Sequence, residues 1–126
     1  GHGDVVLVSS SILRVPVPGM AAYATAKAGL DTLGRVMRME LEGTGVRVST
    51  VRPGPTLTGM GMTWEPQLVE SSIATWVERG LIHGQHYLTP DDVARVIVTV
   101  ATAPKGVHLA LVEVEPEAPV RGKDTA

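Results

Sequence analysis

Tyr23 and Lys27 stand four residues apart in the stretch Tyr23-Ala-Thr-Ala-Lys27, which contains neither proline nor glycine. If this stretch is helical, the phenol and the ammonium lie on one face, because positions i and i+4 of a helix are neighbours. A free phenol has a pKa of about 10, and a nearby ammonium favours its ionised form. Such a pair can exchange a proton with a carbonyl or alcohol oxygen. The spacing alone is weak evidence, because many helices contain it by chance.

Further polar residues follow two apolar segments of the chain. Ser10 comes at the end of the segment 5–9, and the turn Pro53-Gly54 follows the segment 46–51, with Thr58 four residues later. Near-continuous apolar residues are typical of strands buried in a parallel sheet. Ligands of open α/β sheets bind beyond the carboxyl ends of the strands. We therefore expect these polar residues to converge with the tyrosine and lysine at one edge of a sheet.

The elements that must position these residues alternate between strand and helix. Thr89, followed by Pro90 and two aspartates, has the composition of a helix start. A strand, a helix and a strand within about 45 residues form a crossover unit whose strands are parallel. The sequence thus predicts an α/β fold with strands at 5–9, 46–51 and 108–114, helices at 20–42, 66–79 and 90–102, a binding loop or lid at 55–88 and a frayed tail at 116–126.

Composition excludes several functional classes. The net charge is -2, the pI is near 6.1 and aromatic residues make up 3% of the 126 residues, so nucleic acid is not an expected partner. Cysteine is absent, which removes disulfides and thiolate metal sites. No apolar run approaches the roughly 18 residues that a membrane span needs. We expect a cytoplasmic protein that binds neither nucleic acid nor membrane.

Taken together, the motifs resemble the catalytic segment of the short-chain dehydrogenase/reductase family, from Gly3 to Met60. The matching features are a strand followed by two serines, a Pro-Gly pair four residues before the tyrosine, and a Val-Arg-Val-Ser run leading to Pro-Gly. The segment Thr89–Pro116 also resembles the last helix and strand of that family. The resemblance implies a Rossmann-like, doubly wound parallel sheet, and an oxidoreductase that transfers hydride between a nicotinamide cofactor and a carbonyl or secondary alcohol.

The resemblance also implies a role for individual residues. Tyr23 would be the general acid/base and Lys27 would favour its ionisation and bind the nicotinamide ribose. Ser10 would hold the substrate oxygen, with Ser9 and Ser11 as alternatives in register. NADP(H) is favoured slightly over NAD(H), and no metal is implied. The residues that would face the nicotinamide, besides the tyrosine and lysine, are Pro53, Gly54, Thr56 and Thr58.

One part of the family pattern has no counterpart in this sequence. Nothing matches the glycine-rich turn that binds the cofactor phosphates, the chain begins without Met, and the first predicted strand leaves an edge unpaired. We therefore expect the 126 residues to be the C-terminal half of a single domain in an enzyme about twice as long, and to be inactive alone. The alternative is a truncated chain that acts as an assembly or interaction module.

Three further groups of residues each have two interpretations. His83 and His86 could bind a metal, but a solvated loop is the simpler interpretation because no third ligand is near. The small residues of the 20–42 helix could pack against a second copy, giving a homodimer or homotetramer, or against the chain's own sheet. The large apolar residues of the 55–88 lid could line a substrate pocket or only pack the lid; they are Met60, Met62 and Trp64, with Leu68 and Trp76.

Overall fold

The computed structural model describes residues 1–83 and 86–118. Three parallel strands form one sheet in the order β1-β2-β3, and the predicted fold class is confirmed. A short 3-10 turn, Ser11–Leu13, follows the first strand. The strands are β1 (Gly3–Val8), β2 (Val46–Pro53) and β3 (Leu111–Val114), and the helices are α1 (Ala21–Glu40), α2 (Pro66–Glu78) and α3 (Pro90–Ala101).

Helices α1 and α3 cover opposite faces of the sheet, on which successive side chains of each strand alternate. On one face, a Cβ built on Gly34 of α1 would lie 2.9 Å from the hydroxyl of Thr50 and 3.0 Å from Leu7. On the other face, Arg47 donates to the carbonyl oxygen of Ala103, just after α3. The buried core includes Ile12, Val48, Val51 and Val100. In this helix-sheet-helix layering, residues of α1 and α3 line one cavity at the carboxyl edge of the sheet.

Local chemistry sets the ends of the helices. Gly43 and Gly45 adopt φ values of 78° and 84°, a left-handed backbone that favours glycine, and they stop α1 before β2 as predicted. Thr89 caps α3: its hydroxyl accepts from the amide of Asp92, whose carboxylate accepts from the amide and the hydroxyl of Thr89. These bonds from Thr89, hydroxyl first, lower the pKa of Asp92. The predicted start of this helix is confirmed.

The third strand is shorter than predicted. It begins at Leu111 rather than at residue 108, and side chains bind the carbonyl oxygen of Val48, where a longer ladder would continue. The guanidinium of Arg38 donates to the carbonyl oxygens of Val48 and Ala110, and the ring of His108 contacts the same Val48 oxygen at 3.0 Å. The other strands differ slightly from prediction: β1 covers 3–8 rather than 5–9, and β2 extends two residues beyond 51.

Residues 55–88, which we call the lid, leave the sheet after β2 and return before α3. Their two ends are joined, since the amide of Leu57 donates to Leu88 and the amide of Leu88 donates to Pro55, both at 2.9 Å. Helix α2 lies within the lid, close to the predicted 66–79.

Within the described residues, no helix combines the length and apolarity needed to cross a membrane. The predicted frayed tail at 116–126 falls mostly on 119–126, outside the described residues.

Candidate active site

The first turns of α1 place Tyr23 and Lys27 on the face that points toward the end of β1. The ammonium of Lys27 donates to the carbonyl oxygen of Val8, the last residue of that strand, at 2.9 Å. The same ammonium lies 5.6 Å from the centre of the Tyr23 ring, within the range of a cation–π contact. Lys27 is thereby held next to the phenol and at the carboxyl edge of the sheet. Both side chains are half-buried and line one cavity.

The three serines after β1 differ in their surroundings. Ser9 is buried, and its hydroxyl donates to the carbonyl oxygen of Lys27 at 3.3 Å. Ser11 is buried as well, whereas Ser10 is half-buried and accepts from the amide of Ile12 at 3.2 Å. A hydroxyl that only accepts keeps its own proton for a further bond. All three line the cavity, and Ser10 has the most accessible hydroxyl proton for a ligand oxygen.

The turn after β2 forms a second side of the cavity. Pro53, Gly54, Thr56 and Thr58 all line it. Gly54 is buried, and a Cβ on it would collide with the carboxylate of Glu115, whose Cδ would be 2.8 Å away. The hydroxyl of Thr56 donates to the Gly54 carbonyl, while that of Thr58 accepts from the amide of Met60 and retains its proton. Four residues predicted to face a nicotinamide thus lie on the same wall.

The lid and α3 close the remaining side of a cavity of about 460 Å³, a size ordinary for small-molecule sites. Of the predicted lid residues, Met60 lines this cavity. Met62 is 83% exposed and lies off the wall, as do Trp64 and Leu68. Trp76 of α2 does line it. The sequence analysis missed the residues at the end of the lid and along α3, which share an apolar or aromatic character: Leu81, Ile82, Tyr87, Pro90, Val93, Ala94 and Ile97.

Arg47 holds the strands beneath the site in register. Its guanidinium binds both carboxylate oxygens of Asp4 on β1, at 2.7 and 3.1 Å, and both side chains are only 14% exposed. The same guanidinium donates to three backbone carbonyls of the loop after α3, including those of Ala103 and Val107. The hydrogen bonds from Arg47 lower the pKa of Asp4 below its ordinary range. This cluster was not predicted from the sequence, because an arginine that alternates with valines along a strand is typical of a side chain exposed to solvent.

Two further arginines tie the site to β3. Arg52 of β2 binds Asp31 of α1 through two nitrogens and Glu113 of β3 at 2.8 Å. Asp31 follows Lys27 by one helical turn, so this bond fixes the part of α1 that carries the tyrosine and lysine. Arg14, just after the 3-10 turn, binds Glu115 at 2.7 Å. Charged side chains therefore connect β2 with α1 and β3, and the loop after the 3-10 turn with the residue that follows β3.

No three His, Asp or Glu side chains among residues 1–83 and 86–118 are grouped in a way that could hold a metal ion. His83 and His86 both lie on exposed positions of the lid. The polar groups that line the cavity are instead hydroxyls, the phenols of Tyr23 and Tyr87 and the ammonium of Lys27, which suit an organic ligand.

In open α/β sheets, ligands bind beyond the carboxyl ends of the strands, where this cavity lies. Residues 1–68 match the family model described as short chain dehydrogenase. This match covers more than half of the chain, so the chain belongs to the short chain dehydrogenase family. The resemblance found in the sequence is confirmed.

Several proteins and structures are similar to this chain. It is 42% identical over 77 residues to an NADPH-dependent aldehyde reductase-like protein from Arabidopsis thaliana, covering 59% of this chain and 28% of the relative. It is 32% identical over 114 residues to serine 3-dehydrogenase from Agrobacterium fabrum, covering 90% and 43%. The closed form of serine dehydrogenase complexed with NADP+ superposes with a TM-score of 0.71 at 25% identity, covering 90% and 44%. The chain therefore spans less than half the length of these relatives.

Proposed function

We propose that this chain carries the catalytic and substrate-binding residues of an oxidoreductase that interconverts a carbonyl and an alcohol with a nicotinamide cofactor. The supporting observation is that Ser10, Tyr23, Lys27 and the Gly54 turn, from three separate elements, line one cavity. Family membership makes nicotinamide chemistry the expected use of such a cavity. The names of the relatives include an aldehyde reductase and a serine dehydrogenase, so they leave the substrate class open.

The residues present fit the nicotinamide-ribose end of such a cofactor. The Lys27 ammonium has three hydrogens and gives one of them to Val8, so two remain for the hydroxyls of a ribose. The Thr58 hydroxyl retains its proton for a carboxamide oxygen. NADP(H) is preferred in this proposal, because two of the similar proteins carry NADPH or NADP+ in their names. When bound, the cofactor supplies or takes up the hydride.

The side chains divide the remaining work at the substrate oxygen. In reduction, the Tyr23 phenol gives its proton to the carbonyl oxygen as the carbonyl carbon becomes an alcohol carbon, and in oxidation it takes that proton back. The Ser10 hydroxyl donates a hydrogen bond to the same oxygen and stabilises the negative charge that develops there. The Lys27 ammonium lies 5.6 Å from the ring centre and so keeps a positive charge beside the phenol that exchanges the proton.

The two tyrosines of the chain provide a matched test. In the complete protein, Tyr23→Phe should lower kcat by about 10²–10⁴-fold, the usual contribution of general acid/base catalysis, with cofactor affinity little changed. Tyr87→Phe removes a hydroxyl from the same cavity and should change kcat by only a few fold. Turnover is measured by NADPH absorbance and cofactor affinity by fluorescence titration. Unchanged turnover in Tyr23→Phe would remove this residue from the mechanism.

We also propose that α1 pairs with a second copy of the chain in a homodimer or homotetramer. Its outer face carries a stripe of small and apolar residues at helical spacing, in which Leu33 is 48% and Val36 is 43% exposed. Leu33→Glu should shift the sedimentation coefficient toward the monomer, whereas Arg35→Glu on a neighbouring exposed face should not. Equal sedimentation of wild type and Leu33→Glu would argue against this interface.

The alternative function is an assembly module without catalysis. The unpaired outer edge of β1, among the described residues, favours it, because an open strand edge attracts another strand. The absence of any dinucleotide binding by the complete protein would support this alternative. A cytoplasmic location remains part of the proposal and can be checked by cell fractionation.

A further inference from the structure

The cavity has one polar side and one apolar side. The polar side, at the strand ends, carries the hydroxyls, the phenol and the ammonium assigned above to the reacting oxygen and the cofactor. The opposite side comes from the lid and α3, and it presents aliphatic, thioether and aromatic groups: Met60, Trp76, Leu81, Tyr87, Val93 and Ile97. A substrate whose oxygen binds the polar side must place the rest of its body against this apolar wall.

Charged groups are nearly absent from the lining. Of the 22 described residues that line the cavity, Lys27 is the only one with a formal charge at neutral pH. The nearby arginines are engaged elsewhere: Arg14 pairs with Glu115, and Arg52 with Asp31 and Glu113. Neither arginine lines the cavity. The Lys27 ammonium already donates to Val8 and faces the tyrosine ring.

This distribution of charge determines which substrates the site can hold. A carboxylate or ammonium group placed against the apolar wall would lose its hydration and meet no counter-ion there, which is strongly unfavourable for an unpaired ion. An alkyl or aryl group in the same place would lose only apolar contact with water, which is favourable, and an ester or ether there would bury no charge. The wall therefore discriminates by charge as well as by size.

We propose that the substrate is an uncharged, largely apolar aldehyde or ketone, or the corresponding alcohol, and that the site rejects carbonyl compounds and alcohols carrying a carboxylate or an ammonium group, such as hydroxy amino acids. This inference rests on the proposed function. It assigns substrate selection to the wall formed by α2, the end of the lid and α3.

A pair of substrates of nearly equal size tests the inference. The complete protein is assayed with NADPH and with NADH on methyl 4-formylbenzoate and on 4-formylbenzoate, which share the aldehyde and differ in one negative charge. We expect kcat/KM to be at least tenfold higher for the ester, and L-serine oxidation with NADP+ or NAD+ to be slower still. Equal or faster turnover of the carboxylate, or efficient oxidation of serine, would overturn the inference while leaving the proposed function intact. If the complete protein turns over none of these compounds and binds neither NADPH nor NADH in a fluorescence titration, the proposed function itself fails.

A charge added to the wall tests its location. Ile97→Arg places a guanidinium in the cavity and should lower the ester-to-carboxylate ratio of kcat/KM at least fivefold. Val98→Arg is the control, because Val98 is the next residue of α3, is 58% exposed and does not line this cavity, so the ratio should stay as in wild type. Leu81→Lys makes the same test from the lid if Ile97→Arg does not fold. A ratio unchanged by the folded wall variants, or lowered equally by Val98→Arg, would overturn the assignment.

Discussion

The sheet with α1 and α3, which we call the framework, and the lid hold their side chains by different means. In the framework, long cationic side chains reach across elements to carbonyl or carboxylate oxygens; Arg38, Arg47 and Arg52 each join at least two elements. In the lid, the buried residues among those described are Ile82 and Leu88. Its other large apolar residues are mostly exposed, including Leu57 at 60% and Leu68 at 53%.

The framework and the lid therefore contribute different functions to the same cavity: the framework positions the groups for proton transfer, and the lid contacts the substrate. The candidate proton donor and its lysine lie on the framework, where a shift of a fraction of an ångström would disturb proton transfer. The apolar wall that meets the substrate comes largely from the lid, which is tied down by the two hydrogen bonds between its ends and by a few buried contacts. Substitutions in the framework should therefore change stability first, and substitutions in the lid should change selectivity first.

Glycines allow this comparison to be tested with a single added methyl group. In the framework, the Cβ of Gly34→Ala would lie 2.9 Å from the Thr50 hydroxyl and 3.0 Å from Leu7. Overpacking of this kind costs about 1–3 kcal/mol, which outweighs the gain of up to about 1 kcal/mol from replacing glycine in a helix. We expect a net loss of about 1–2 kcal/mol in the free energy of unfolding, measured by urea denaturation.

Two control substitutions isolate the cause of that loss. Gly29→Ala changes the same helix where nothing lies within 4 Å, so only the helix gain of about 0.5–1 kcal/mol should remain. Gly59→Ala changes the lid, where the nearest atom is 3.9 Å away, and should stay within about 0.5 kcal/mol of wild type. If Gly34→Ala were as stable as Gly29→Ala, α1 would not be packed as tightly on the sheet as the structure indicates.

The sequence predicted the framework better than the lid, and the reason is the range over which each signal acts. Strand runs, the start of α3 at Thr89 and the tyrosine–lysine spacing are local patterns, and each is present in the structure. The start of β3 was predicted three residues too early, since the Val48 carbonyl oxygen beside it is bound by Arg38 and His108, which are distant from Val48 in sequence. Whether a lid residue faces the cavity depends on how the lid folds back, and apolarity alone did not distinguish Met60 from Met62.

Gly54, where the framework joins the lid, should show an intermediate effect. A methyl group there meets the Glu115 carboxylate, which is held by Arg14, and approaches Pro116 at 3.1 Å. Gly54→Ala should displace Glu115 and break this partly exposed ion pair, whose loss costs about 0.2–1 kcal/mol. Most of the loss should disappear when the same change is made in a Glu115→Ala background. An undiminished loss in that background would mean that Pro116 or the cavity, and not the ion pair, restricts this position.

Acid should weaken the framework before it affects interactions within the lid. The hydrogen bonds from Arg47 hold the pKa of Asp4 below its ordinary value of 3.8, so the folded chain binds this proton less readily than the unfolded chain. The stabilisation is therefore complete above that value and is lost as the pH falls through the lower, folded-state pKa.

Asp4→Asn should reduce the free energy of unfolding at pH 7 and flatten its dependence on pH below about 4. Glu70→Gln, on the exposed surface of α2, should leave that dependence as in wild type, when urea unfolding is measured from pH 7 to pH 2. Equal flattening in both variants would mean that the Asp4–Arg47 pair does not distinguish the framework from the lid.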